Sequence, residues 1–270
     1  MYNHAMKEAE FRDAVAGLVL DKAAFFATIG STNDVVAEWA RRGLKGLAVA
    51  AADEQTHGRG RAGRRWFTPA GSALAFSLLL SPVTSMDPTV LGRASGLGAL
   101  AVCEALESLY SLAPQIKWPN DVLLNGKKTA GILAEAHWSG DHLQVLILGI
   151  GINVAPNSVP PGETINFPAT CVQAVLSKAI ETSELLRAVL QRLIVWNAKL
   201  QSIEFIRAWE SRLAYLGQTV RLETGAKEVD AQLHGLATDG GLELRLPSGD
   251  LRVFQMGEIQ ISPMVVGKSK

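Results

Sequence analysis

The chain opens with apolar residues at helical spacing and charged residues between them, which predicts an amphipathic helix over residues 5–19. An apolar run over 25–29 predicts a short strand. The next helical pattern starts after Ser31 and stops at Gly43. Ser31 and Asp34 have the spacing of a capping box, which is typical of a helix start.

Longer apolar runs occupy the middle of the chain. Strands are predicted over 47–52, 72–80, 115–118, 121–124, 132–137 and 144–154. A helix rich in small residues is predicted over 91–109, and Asn125-Gly126 predicts a hairpin turn because both residues tolerate positive φ. Hairpins interrupt this order of strands and helices, so a single βαβ repeat does not account for it.

The pattern changes twice in the last third of the chain. Residues 155–168 contain four prolines and predict irregular structure. Helical spacing resumes over 170–214, with an interruption near Ser202. Strands are then predicted over 219–222, 230–236, 242–246 and 250–254, with glycines in the turns between them. Short strands joined by tight turns predict a small β-barrel, so we place two domains at 1–215 and 216–270.

Amino-acid composition and charge argue against several classes of protein. The 270 residues carry 26 Lys+Arg and 26 Asp+Glu, and this zero net charge argues against a general nucleic-acid coat. Cys103 and Cys171 lie far apart, which disfavours a disulfide framework and a thiolate zinc site. Charged residues in the first twenty positions rule out a signal peptide, and no run approaches the ~20 apolar residues of a membrane span. We therefore expect a cytoplasmic protein.

Three glycine patterns superficially suggest nucleotide binding. Gly96-Leu-Gly98 lies inside a predicted helix with no strand before it, so helix packing is the better interpretation. Gly149-Ile-Gly151 follows a strand but has no third glycine. The segment 125–129 lacks the first glycine of a phosphate-binding loop. All three are rejected as nucleotide fingerprints.

The segment 57–66, His-Gly-Arg-Gly-Arg-Ala-Gly-Arg-Arg-Trp, is the strongest candidate for binding chemistry. Glycines let backbone N–H groups converge on an anion, and arginines add donor forks that match phosphate or carboxylate oxygens. Trp66 could stack on a flat heterocycle or on an arginine. A disordered basic loop and an RNA-binding arginine-glycine segment are the alternatives, and anion binding is favoured over both.

A second constellation, Lys117-Trp-Pro-Asn-Asp121, places a cation, an amide and a carboxylate in one bend between strands. If the bend is mild, the two-residue period of a strand puts Lys117 and Asp121 on the same face. A catalytic group and a plain surface salt bridge are equally good interpretations of this segment alone. Lys128, just past the predicted hairpin turn, is by itself best interpreted as a solvated turn residue.

Taken together, five segments resemble the biotin–protein ligases. They are Ser31-Thr-Asn33, Gln55 to Trp66, Lys117 to Asp121, Lys128-Thr-Ala-Gly-Ile-Leu133, and Gly149-Ile-Gly-Ile-Asn153. The resemblance implies an α+β fold, with a mixed-sheet catalytic domain similar to class II aminoacyl-tRNA synthetases and a C-terminal SH3-like β-barrel. It implies that ATP, with Mg²⁺, activates biotin as biotinyl-5′-AMP, and that a lysine of a biotin carboxyl carrier domain receives the biotinyl group.

The resemblance also implies roles for individual residues. Biotin contacts are expected from Ser31, Thr32, Asn33, Gln55, Arg59, Gly60, Arg61 and Lys128. ATP contacts are expected from Arg61, Arg64, Trp66 and Asn153. The catalytic centre is expected from Lys128, Arg61, Lys117, Asn120 and Asp121, with Mg²⁺ arriving with ATP and no dedicated metal ligands.

Some expectations remain open or depart from the family pattern. About thirty residues precede Ser31, so we expect a monofunctional ligase without a DNA-binding domain, acting as a monomer or a homodimer and binding neither nucleic acid nor membrane. Ala75 stands where many relatives carry a tyrosine, which changes the packing beside the pocket. A lipoate–protein ligase or octanoyl transferase is the nearest alternative function, and a non-catalytic binding module is the alternative from another class.

Overall fold

The computed structural model describes residues 5–81, 91–139, 142–161, 167–225 and 227–261. Six α-helices and twelve strands lie within these ranges. The helices are α1 Glu8–Val15, α2 Thr32–Arg41, α3 Leu91–Tyr110, α4 Val172–Leu176, α5 Thr182–Ala198 and α6 Ile203–Glu210. The strands are β1 Lys22–Ile29, β2 Gly46–Gln55, β3 Ala73–Ser81, β4 Gln115–Lys117, β5 Asp121–Leu124, β6 Lys127–Ser139, β7 His142–Asn153, β8 Thr219–Thr224, β9 Lys227–Leu236, β10 Leu242–Arg245, β11 Leu251–Phe254 and β12 Glu258–Ile261.

The first seven strands form one mixed sheet in the order β1-β2-β3-β7-β6-β5-β4. Strands β1 and β2 are parallel, and every other neighbouring pair in this sheet is antiparallel. The hairpin between β5 and β6 turns at Asn125 and Gly126, whose φ angles are 50° and 71°. The predicted α+β fold with a mixed sheet is therefore confirmed.

Helices cover the two faces of this sheet unequally. One face is buried under α3, where Gly96 lets the Trp209 ring approach the helix and Gly98 lets Ile132 approach it. Helix packing is thus the reason for these glycines, as the sequence predicts. On the other face α2 covers only part of the sheet, around Ala50 and Ile147. The rest of that face stays open for a ligand.

The last five strands form an antiparallel sheet in the order β11-β10-β9-β8-β12, which is the predicted SH3-like unit. Its turn at 237–241 docks against the larger part of the molecule. Trp118 Nε1 donates to Gly240 O at 3.0 Å, and the buried Arg93 donates to Thr238 O. Buried residues of both sheets belong to one apolar cluster. The boundary at residue 216 stays a prediction.

The start of α2 and the segment 155–168 bear on two predictions about local structure. Ser31 is the N-cap residue of α2, but its side chain makes no capping hydrogen bond, so the predicted capping box is wrong. Residues 155–161 and 167–168 are irregular apart from a short 3-10 turn at Pro156–Ser158, and 162–166 lie outside the described residues. In the described part of the chain, no helix is both long and apolar enough to cross a membrane.

Candidate functional site

Small residues on the open face of the sheet make the floor of a cleft. Gly131, Gly151 and Ala75 face one another across β6, β7 and β3, and Gly149 and Ser77 form the next row. A Cβ on Gly151 would overlap the Trp66 indole, and a Cβ on Gly149 would overlap the Asn33 amide. The Gly149-Ile-Gly151 pattern is therefore needed for close side-chain packing, which agrees with its rejection as a nucleotide fingerprint.

The start of α2 supplies one end of the cleft with a buried polar network. Gln55 Oε1, at the end of β2, accepts from Thr32 N at 2.8 Å and lies 3.1 Å from Thr32 Oγ1. Gln55 thereby takes the helix-capping place that the sequence assigned to Ser31. Ser77 Oγ lies 2.6 Å from Thr32 Oγ1 and 2.5 Å from Asn33 Oδ1. Ser31, Thr32 and Asn33 are each about 3% exposed or less.

The arginine loop, defined here as residues 57–66, forms its own small hairpin. Arg59 pairs with Arg65, and Gly60 N donates to Arg64 O at 2.7 Å. The hairpin turns at Arg61–Gly63, where Ala62 and Gly63 have φ angles of 54° and 74°. A Cβ on Gly58 would overlap the Trp66 carbonyl oxygen, so this glycine allows the two arms to come close.

Three arginines of the loop reach three different parts of the molecule. Arg59 Nη1 donates to Asp34 Oδ1 at 2.7 Å, beside the start of α2. Arg61 Nη1 donates to Asn120 Oδ1 at 3.0 Å, and burial lowers the pKa of Arg61. Arg64 donates to both carboxylate oxygens of Glu258, at 3.2 and 2.6 Å.

Lys117 and Asp121 face each other across the β4–β5 hairpin, because they are paired residues of antiparallel strands. They share a face, but through a tight hairpin rather than the mild bend considered above. The cation that contacts Asp121 is Lys128, with Nζ 2.7 Å from Asp121 Oδ1. Lys128 is thus not a solvated turn residue, since its ammonium also lies 5.7 Å from the Trp66 ring centroid.

Lys117 is buried, with a side chain only 3% exposed. Its Nζ lies 4.3 Å from the Phe167 ring centroid and 3.9 Å from Glu258 Oε1. Burial lowers the pKa of Lys117 below its ordinary value of 10.5, and the negative charges of Asp121 and Glu258 oppose this. The hydrogen bond from Arg64 lowers the pKa of Glu258.

The cleft brings most of the sequence-predicted residues together. It is lined by Ser31, Thr32, Asn33, Gln55, Arg59, Gly60, Arg61, Trp66, Asn120 and Lys128, together with the glycines of its floor. Asp121 contacts the cleft through Lys128. Lys117, Arg64 and Asn153 are not among its lining residues. Asn153 Nδ2 donates to Thr170 O at 3.1 Å.

Sequence reasoning missed three polar residues of this region: Ser77, Glu135 and Glu258. Glu135 accepts from Asn33 Nδ2 at 2.7 Å. Ser77 and Glu135 interrupt apolar strands, and that interruption was an available signal. Glu258 begins β12, and the polar–apolar alternation of Glu-Ile-Gln-Ile could have predicted that strand. The sequence gives no indication that Glu258 contacts Arg64, which lies 194 positions away.

Two family models match the chain. The model described as "Biotin/lipoate A/B protein ligase family" matches residues 25–153. The model described as "Biotin protein ligase C terminal domain" matches residues 215–262. The first match contains the whole cleft described above, and the second contains the five-stranded sheet.

Individual relatives are similar over most of their length. A biotin–[acetyl-CoA-carboxylase] ligase of Paracoccus denitrificans is 38% identical over 216 residues, which cover 77% of this chain and 88% of the relative. The enzyme of the same name from Mycobacterium tuberculosis is 32% identical over 240 residues, covering 83% and 86%. A biotin protein ligase from Aquifex aeolicus, solved in complex with biotin and ATP, has a TM-score of 0.75 at 32% identity, covering 89% of this chain and 98% of that one.

Proposed function

The chain belongs to the family of biotin–protein ligases, and on this premise we propose which of its residues carry each part of the reaction. The protein is an ATP-dependent ligase that activates biotin as biotinyl-5′-AMP and transfers the biotinyl group to a lysine of a carrier domain. One observation carries the assignment of roles: the arginine loop, Lys128 and the polar start of α2 surround a single recess.

The buried polar end of the cleft is proposed to hold the ring system of biotin. Ser31, Thr32, Asn33 and Gln55 place hydroxyl and amide groups there with little access to water. A cyclic urea offers two N–H donors and one carbonyl acceptor, so it can satisfy such groups where an apolar ring cannot. The acyl chain of biotin then extends along the floor toward Lys128.

The other end of the cleft is proposed to carry out activation. A biotin carboxylate oxygen attacks the α-phosphorus of ATP, the bond from that phosphorus to the β-phosphate bridge breaks, and pyrophosphate leaves. Both reacting groups are anionic, so repulsion forms a large part of the barrier. Lys128 and Arg61 lower it by placing positive charge where negative charge develops. Arg59 and Gly60 are proposed to assist at the carboxylate and phosphate.

Trp66 is proposed to pack against the adenine, with Asn153 and Arg64 at the same end. Lys117, Asn120 and Asp121 are proposed to shape the catalytic centre. Asn120 holds Arg61, and Asp121 holds Lys128 at 2.7 Å. These two contacts keep both cations directed into the cleft before substrates bind.

The residues present fit Mg²⁺ that arrives with ATP. Asp121 supplies one carboxylate beside Lys128, and Mg²⁺ commonly takes one or two protein carboxylates plus substrate phosphates and water. Among the described residues, no group of three His, Cys, Asp or Glu side chains could hold a metal ion. When bound, Mg²⁺ would supply positive charge that neutralises the phosphates.

The transfer step needs no nucleophile from this chain. The amine of the carrier lysine attacks the acyl carbon, the bond to the phosphate oxygen breaks, AMP leaves, and the new amide nitrogen loses a proton. We propose the biotin carboxyl carrier domain of acetyl-CoA carboxylase as the acceptor, because the Paracoccus and Mycobacterium relatives are named for that enzyme.

Since the reaction consumes ATP, we propose a cytoplasmic location. By role, we propose residues 1–215 as catalytic and 216–270 as accessory.

Pyrophosphate exchange tests the proposal. Radiolabelled pyrophosphate should enter ATP when biotin is added and should not do so with lipoate. A purified carrier domain should then gain one biotinyl group per molecule, measured by mass spectrometry. Exchange that depends on lipoate instead, or no exchange with either acid, would contradict the proposed function.

A further inference from the structure

Glu135 connects the proposed biotin-binding residues to the arginine loop. Its carboxylate accepts from Asn33 Nδ2 at 2.7 Å, and both of its oxygens lie 3.4 Å from Arg59 Nη2. The other arm of the same guanidinium is held by Asp34. Glu135 is not among the residues proposed above for the activation step, yet it contacts a buried amide of the cleft.

The carboxylate determines which way the Asn33 amide faces. An ionised carboxylate only accepts hydrogen bonds, so Asn33 must present its NH₂ group to Glu135 and its oxygen to Ser77. The reverse orientation would place two acceptors against each other. The amide also lies directly on Gly149, where no Cβ could fit, so it has little room to move.

This orientation fixes the hydroxyl protons behind it. Ser77 is fully buried, and its single proton must go to Asn33 Oδ1, 2.5 Å away. Its oxygen can then accept from the Thr32 hydroxyl at 2.6 Å. The hydrogen bonds therefore run in one direction, from Thr32 through Ser77 and Asn33 to Glu135.

The directed chain has a consequence at the cleft. The Thr32 hydroxyl could instead donate to Gln55 Oε1 at 3.1 Å. Its one proton is needed in the shorter 2.6 Å contact with Ser77, because two oxygens that close cannot both be acceptors, and this leaves Thr32 Oγ1 and Gln55 Oε1 both as acceptors. Two neighbouring acceptors attract a ligand that brings N–H donors, such as a urea, and offer nothing to a ring that has none. We propose that Glu135, acting through Asn33 and Ser77, is a positioning residue that makes this end of the cleft selective for a urea N–H donor. This proposal rests on the proposed function.

Variants of Glu135 and Ser77 test the proposal. Glu135→Ala should raise the biotin dissociation constant by about tenfold or more, because a charged partner of a buried amide is lost. The KM for ATP and the kcat of exchange should change less than about threefold, within the spread of a neutral change. Glu135→Gln, whose amide oxygen can still accept from Asn33, should restore most of the affinity. Desthiobiotin, which keeps the urea ring, should weaken in parallel with biotin.

A double-variant cycle separates positioning from mere structural support. Since both residues act through Asn33, Glu135→Ala with Ser77→Ala should lose little more affinity than the worse single variant. The control Glu204→Gln, which breaks the exposed ion pair with Lys199, should leave every constant unchanged. An unchanged biotin affinity in Glu135→Ala, an equal rise in the ATP constant, or fully multiplicative losses would overturn the proposal. A wild-type enzyme with no biotin-dependent exchange would overturn the proposed function instead.

Discussion

At the scale of single residues, the sequence indicated which residues belong to the site but not which residues they contact. The alternation of glycine and arginine in 57–66 indicated an anion site, and Arg61 does line the cleft. Nothing in the sequence indicated that Arg64 would contact Glu258 or that Arg59 would contact Glu135. Such partners come from distant strands, and only the folded sheet brings them together.

Lys128→Ala should slow biotin-dependent pyrophosphate exchange by a hundred- to thousandfold, the effect of losing about 3–4 kcal/mol of transition-state stabilisation. Its neighbour Lys127 is exposed and serves as the matched control, so Lys127→Ala should retain normal exchange. The Lys128 variant should still unfold cooperatively, with a loss of about 1–3 kcal/mol from the ion pair with Asp121. Near-normal turnover would show that Lys128 has no role in activation.

Methyl groups added to the floor of the cleft should separate its two ends. Gly149→Ala should raise the KM for biotin because the new Cβ displaces Asn33, and Gly151→Ala should raise the KM for ATP because it displaces Trp66. Overpacking of about 1–3 kcal/mol corresponds to roughly a 5- to 150-fold change. In the control Gly30→Ala, the new Cβ would meet only His57 Nδ1, at 3.9 Å. If both floor variants affected the two substrates equally, the proposed division of the cleft would be wrong.

At the scale of elements, hydrophobic periodicity predicted most helices and strands to within a few residues. The run over 72–80 corresponds to β3, which is buried on both faces, and Asn125-Gly126 forms the predicted turn. The sequence analysis missed β12, although its alternation of polar and apolar residues is as long as that of β10 and β11. The capping box failed for a tertiary reason: Gln55, from the end of β2, takes the first backbone donor of α2.

The arginine loop should become less accessible to proteases when substrates bind beneath it. The turn of its hairpin contacts the rest of the chain through the side chains of Arg59, Arg61 and Arg64. A reactive acyl adenylate must be kept from water, and closing of this turn over the substrates would do that. Trypsin should therefore cleave within 57–66 severalfold more slowly when biotin and ATP are both present. Cleavage at Arg245, in the C-terminal sheet, provides the internal reference. Equal cleavage rates with and without substrates would refute the closing of the loop.

At the scale of the whole molecule, the two sheets contribute to one site. The change in pattern near Leu216 predicted a separate barrel, but the sequence gave no sign that the barrel contacts residues next to the cleft. Glu258 of β12 contacts Arg64 and lies 3.9 Å from Lys117 Nζ. The C-terminal sheet thus helps to position Arg64 and places a negative charge near Lys117.

Glu258→Gln should shift the alkaline limb of the exchange rate to lower pH. Burial already lowers the pKa of Lys117 below 10.5, and removing the Glu258 charge removes an opposing effect, so Lys117 should lose its proton at lower pH still. The hydrogen bond from Arg64 lowers the pKa of Glu258 below 4.5. The ionised Glu258 therefore stabilises the folded protein above that pH, and this stabilisation is lost as the pH falls through the pKa of the folded state. The stability difference from wild type should be below about 1 kcal/mol, because the pair is partly exposed, and should vanish at acid pH. Glu228→Gln, at an exposed ion pair in the same sheet, is the control, and an unshifted pH profile would contradict the coupling.

The shared apolar cluster has a practical consequence for anyone who wishes to divide this enzyme into complementing halves. A cut near residue 216 lies at the domain boundary predicted from the sequence. Trp209, however, is fully buried among residues of both sheets, and Gly240 lies against its ring. Each half would expose this surface to water. Neither piece should stay in solution by itself, so reconstitution of activity would require both pieces to be synthesised together in one cell.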